Sequence, residues 1–124
     1  MTLMKLFNAI CFVFLTVGAA CAQEIDERLL TKYSQVELES LVAKDVESYT
    51  MLVYALDNAL YVSDYSSVKS TELQTIVVDS SELPTFADLQ LDILDVNQYF
   101  KIQGEDKVLV VKSTWVLNHE LSKR

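Results

Sequence analysis

Both cysteines of the chain, Cys11 and Cys21, fall within its first twenty-two residues. Residues 23–124 therefore have no thiol with which to staple themselves. Disulfides, thiolate metal sites and cysteine nucleophiles are excluded from that segment together. A fold built from it has to stand on buried apolar surface, which its Val, Leu, Ile and Tyr content can supply.

The same twenty-two residues have the anatomy of a secretory signal peptide. Lys5 gives a positive start, Leu6 to Val17 a twelve-residue apolar run, and Gly18-Ala19-Ala20-Cys21-Ala22 a small-residue exit. Ala20 and Ala22 form an A-x-A cleavage signal, so the mature chain is expected to begin at Gln23 and work outside the cytoplasm. The apolar run is shorter than the roughly 20 residues that span a bilayer, and no membrane span is expected after cleavage. The alternative is a lipoprotein signal with Cys21 acylated as the mature N-terminus; Gly18 then stands three residues before it, where an aliphatic residue is usual. The expected organisation is a signal peptide over 1–22 and a single domain over 23–124, a length suited to one small core.

All 18 acidic residues follow residue 22, and only Lys5 of the 10 basic ones precedes it, so the mature segment carries 9 minus 18, a net charge of −9. Nucleic acid and anionic lipid are poor partners for such a surface. The chain has no N-x-S/T sequon. Together with the missing disulfides, this favours a bacterial envelope protein over a small secreted animal domain.

Gly104 and Pro84 are the only glycine and proline after the signal, so no linker or boundary interrupts the domain. Ser34 with Glu37 is a capping box opening a short helix through about Ala43, and residues 24–33 suit an earlier helical turn. Asp45 reads as the N-cap of a second helix, with Tyr49, Leu52, Val53, Leu56, Ala59 and Leu60 on one apolar face. That helix should end near Asn58, followed by a strand over 59–65. Residues 73–78 (LQTIVV) suit another strand, and Thr85 with Asp88 a single capped turn. Gln98 to Ile102 and Lys107 to Val111 flank Gln103-Gly104-Glu105-Asp106 as a β-hairpin, its second arm continuing through Trp115 to Leu117 or beyond. The pattern predicts an α+β fold: two or three N-terminal helices on a small antiparallel sheet that ends in a C-terminal β-hairpin.

Chemistry-bearing constellations are absent from this pattern. The sole histidine, His119, is expected to face solvent near the end of a strand, a poor place for a preorganised base. One histidine without thiols cannot hold zinc, and no calcium-loop motif occurs. Asp88, Asp92 and Asp95 alternate with Leu89, Leu91, Ile93, Leu94 and Val96 as a solvated polar face would. One glycine cannot build a phosphate loop, and acid pairs arise by chance among 18 carboxylates. No catalytic residue, cofactor or metal is expected, and the chain reads as a non-enzyme.

The suggestive feature is the aromatic set. Tyr49 belongs to the predicted core face, whereas Tyr54, Tyr61, Tyr65 and Trp115 are candidates for a partner surface, since Tyr and Trp combine large area with a polar tip. Residues 54–65 (YALDNALYVSDY) and 97–121 (NQYFKIQGEDKVLVVKSTWVLNHEL) resemble small exported proteins of unassigned function from Bacteroidetes-type Gram-negative bacteria. The resemblance implies a cell-envelope setting and carries no catalytic residues. The expectation is an exported envelope protein, periplasmic or else secreted, that binds another envelope protein, as an accessory subunit of an envelope or outer-membrane complex. The alternative is a periplasmic small-ligand carrier or sensor with a pocket between helix and sheet.

Overall fold

The computed structural model describes residues 24–67 and 73–124. The expected signal, with Ala20, Ala22, Cys11 and Cys21, lies outside the described residues. A 3-10 turn, Glu27–Thr31, is capped by Asp26, whose carboxylate accepts from the Arg28 N–H at 3.0 Å. Helix α1, Gln35–Lys44, opens on the reciprocal bonds that its sequence predicts: the Glu37 N–H to Ser34 Oγ (3.1 Å) and the Ser34 N–H to Glu37 Oε1 (2.8 Å). Helix α2, Val46–Asn58, follows after one residue. Asp45 closes α1 by donating its backbone N–H to the Leu41 carbonyl and opens α2 by accepting from the Ser48 N–H at its carboxylate, so a single residue makes the corner.

Helix α2 organises the core. It buries Tyr49, Met51, Leu52, Ala55 and Leu56, and it packs on the 3-10 turn, on α1, on a C-terminal helix and on the first strand. Leu29, Leu38, Ala59, Phe86, Ala87 and Leu117 complete the cluster. Tyr49 is buried with its hydroxyl satisfied, accepting from the Asp26 N–H (2.8 Å) and donating to the Glu24 carbonyl (3.1 Å).

Strands β1 (Leu60–Asp64), β2 (Gln74–Ile76), β3 (Gln98–Ile102) and β4 (Lys107–Val111) form one sheet in the order β1-β4-β3-β2. Val108 to Val111 are all buried, as a central strand covered on both faces requires. The β3–β4 hairpin turns at Gly104, φ +80°, where a side chain would meet open space; the backbone angle, and not crowding, favours glycine there.

The fold is α+β, with three α-helices and a four-stranded sheet among the described residues, but three expectations need correction. The sheet is mixed, because β2 runs parallel to β3 with Gln74 opposite Phe100 and Ile76 opposite Ile102. Such a pair needs a long connection. Residues 77–97 provide it, seating Phe86 and Ala87 in the helical core on the way. The strand expected over 73–78 shrinks to the three residues that face β3.

The hairpin does not end the domain. Its second arm stops at Val111, where both neighbours run out: Val111 lies opposite Leu60 and Gln98, the first residues of β1 and β3. With no ladder to join, the chain turns at Ser113, whose hydroxyl accepts from the Val116 N–H at 3.2 Å and starts helix α3, Thr114–Ser122. Side chain and backbone of the crossover fix that turn, through the Ser113 N–H to Asn97 Oδ1 and the Thr114 N–H to the Leu94 carbonyl, both at 2.8 Å. His119 and Trp115 therefore lie on a helix and not on a strand. The turn predicted at Thr85 and Asp88 is present, with each residue's side chain accepting from the other's N–H.

Candidate functional site

Helix α3 gathers the residues with the most unusual surroundings. Trp115 and His119 are four residues apart on one helical face, and their rings stack with centroids 5.2 Å apart and planes 3° from parallel. Trp115 is nevertheless 69% exposed. Such rings are normally covered by core or by a partner.

A different face of α3 carries Glu120. One of its oxygens accepts from Lys112 Nζ (2.7 Å) and the other from the Tyr54 hydroxyl (2.9 Å). The Lys112 ammonium beside it holds the Glu120 carboxyl below the usual range. Burial, and then the Glu120 charge, push the Tyr54 hydroxyl up. Lys112 also lies over the Tyr61 ring, 5.8 Å from its centroid, and the Arg124 guanidinium lies 5.1 Å from that of Tyr54. Tyr54, Glu120, Lys112 and Tyr61 thus form one chain of contacts joining α2, α3 and the sheet.

The four aromatic candidates do not form a single patch. Tyr54 and Tyr61 sit at opposite ends of this chain. Tyr54 is half-buried and spoken for, while Tyr61 is 44% exposed. Tyr65, in a 3-10 turn after β1, is half-buried under Lys101 Nζ, 5.4 Å from its centroid. Trp115 belongs to the stack on the other face of α3. Register adds Tyr99: Tyr61 and Tyr99 both lie opposite the buried Val110, so they share a sheet face about 10 Å apart, two strand spacings. Tyr99 is also exposed. The pairing of His119 with Trp115 and the junction at Glu120 were beyond the sequence reading, because both require residues 114–122 to be helical. The Ser113 hydroxyl followed by Leu117 and Leu121 at a four-residue spacing was the available signal.

The acidic residues disperse. Asp88 caps its own turn, Asp92 pairs with Lys32 at 2.7 Å, and Asp95 is exposed. Among the described residues, no three His, Cys, Asp or Glu side chains come together as a metal site would need. Among the described residues, too, no helix is long and apolar enough to cross a membrane.

A cleft of about 550 Å³ opens between the first turns of α2 and the length of α3. Asp45, Glu47, Ser48 and Thr50 line one wall, Thr114, Asn118 and Ser122 the other, with Met51 and Leu121 contributing apolar surface. It lies between two helices, whereas the sequence pointed to a pocket between helix and sheet.

Compared with known proteins, the chain matches no family model, no curated protein and no solved structure.

Proposed function

We propose that the chain is an exported, non-enzymatic protein of the bacterial envelope that acts by binding another envelope protein, with Trp115 as the anchor of the contact. The exposure of Trp115 carries this reading. Covering the ring removes roughly 140 Å² of apolar surface from water, worth about 3.5 kcal/mol at 25 cal/mol per Å². Held on a capped helix and backed by His119, the ring loses little freedom on binding. Tyr61 and Tyr99 offer a second, flatter contact on the sheet. The signal-like first twenty-two residues support export, and the excess of acidic side chains argues against nucleic acid as the partner.

The decisive experiment is crosslinking of the tagged full-length chain in its native envelope, then affinity purification and mass spectrometry. A stoichiometric envelope partner is expected with the wild-type chain and not with Trp115→Ala. Recovery of the same proteins by both, or of a bare monomer from the wild type, overturns the reading. Intact-mass analysis of the exported product tests its start, with Gln23 expected as the first residue and an acylated Cys21 marking the lipoprotein route.

A further inference from the structure

The Trp115 ring and the cleft between α2 and α3 belong to one surface. Asn118 and Ser122, which line the cleft, stand three and seven residues after Trp115, so all three share one side of α3. Trp115 therefore borders the opening. We infer that this combined surface docks a basic, amphipathic segment of a protein partner, resting on the Trp115 contact proposed above and naming the chemistry of what it meets.

The apolar half of that chemistry is read from the floor. More of the cleft lining is apolar than polar, with Val46, Met51 and Leu121 supplying the carbon surface. Val46 is 46% exposed, so part of this surface is left in water as Trp115 is. The charged half is read from the α2 wall. Asp45 and Glu47 stand there, and none of the lining residues is Lys or Arg. Among the described residues neither carboxylate belongs to an ion pair. Asp45 accepts only from neutral donors, the Ser48 N–H (3.1 Å) and hydroxyl (2.6 Å), and these bonds hold its carboxyl below the usual range, which keeps it charged. The positive end of α2 offsets about half an elementary charge, against two carboxylates. A negative wall over an apolar floor remains.

A partner segment with aliphatic side chains beside Lys or Arg complements every part of this surface. Its alkyl groups cover Met51, Leu121 and the indole, and its ammonium or guanidinium groups meet Asp45 and Glu47. A small amine would answer the carboxylates alone and leave the ring bare. The acidic excess of residues 23–124 also draws a basic partner in from a distance.

The test titrates the ¹⁵N-labelled protein with a helical peptide of about 14 Leu and Lys residues, leucines along one face, and with two counterparts, one carrying Glu for every Lys and one Ser for every Leu. Trp115 is the sole tryptophan of the chain, so its emission reports cover of the ring. The Leu/Lys peptide is expected to move that emission to shorter wavelength and to shift the amides of residues 45–51 and 114–122 saturably, with a dissociation constant of about 100 μM or tighter. Both counterparts should bind at least about tenfold more weakly. Glu47→Lys, at an exposed position, and Trp115→Ala should each weaken the Leu/Lys peptide about tenfold, with the rest of the amide spectrum preserved as the check on folding. Absence of saturable shifts, equal binding of the Glu peptide, or binding that Glu47→Lys leaves intact overturns the proposal. In the native envelope, Glu47→Lys should release the crosslinked partner as Trp115→Ala does. A partner that Trp115→Ala releases and Glu47→Lys retains overturns the basic segment while the Trp115 contact stands; a partner that both retain overturns the contact itself.

Discussion

Helices α2 and α3 form the two walls of one cleft, yet they are held by different means. Helix α2 sends five buried side chains into the core and touches both other α-helices and the first 3-10 turn. Helix α3 buries only Leu117 and depends for the rest on a serine cap, a lysine–glutamate pair and a tyrosine hydroxyl. Burial is cooperative across many partners, whereas each polar tie is worth only about 1 kcal/mol net. A small domain can thus carry a helix that opens locally while most of the core stays closed.

Core truncation should break the contrast most forcefully. Leu56→Ala and Leu117→Ala each remove a buried leucine and should cost about 2–5 kcal/mol. Hydrogen exchange should separate them, with protection lost throughout the domain in Leu56→Ala but first and mainly over 114–122 in Leu117→Ala. Uniform loss in both would mean that the two helices are one cooperative unit.

Glu120→Gln sharpens the comparison at an intermediate scale. It keeps the shape and weakens the charged bonds to Lys112 and Tyr54, at a cost of about 1 kcal/mol that falls on α3. The pH dependence follows from the same pair. The folded Glu120 carboxyl titrates below its unfolded value, so its contribution is complete above about pH 4.3 and fades as the pH falls through the folded value. Protection over 114–122 should therefore drop on acidification in the wild type and respond less in Glu120→Gln. The smallest effect is expected for Trp115→Ala, within about 0.5 kcal/mol of wild type by thermal or denaturant melting, because the ring contributes mainly exposed surface.

The legible parts of this fold were those written locally. Ser34 with Glu37, Asp45 before a 3.6-residue stripe, and Gly104 between two strand-forming runs each specify their element within a few residues. Helix α3 was illegible because Val108 to Val111 and Val116 favour a strand, and the turn away from it is set by where β1 and β3 happen to begin. The parallel pairing of β2 is equally non-local, since nothing within Gln74–Ile76 distinguishes one direction from the other. At the candidate site, the exposed Trp115 and Tyr61 had been singled out from residue type alone. Tyr54 and Tyr65 proved to be occupied by Glu120 and Lys101, partners distant in sequence.

The tie at Tyr49 has one more implication. Tyr49 fastens Glu24 and Asp26 to α2, and five residues on, the Tyr54 ring receives Arg124. Residues from both ends of the described domain are thus moored to one helix, about 7.5 Å apart along its axis. An engineered chain limited to residues 24–124 is suited to circular permutation: a short linker between Arg124 and Glu24 would join these two residues, and the exposed turn around Ser81 and Glu82 offers a place to reopen it.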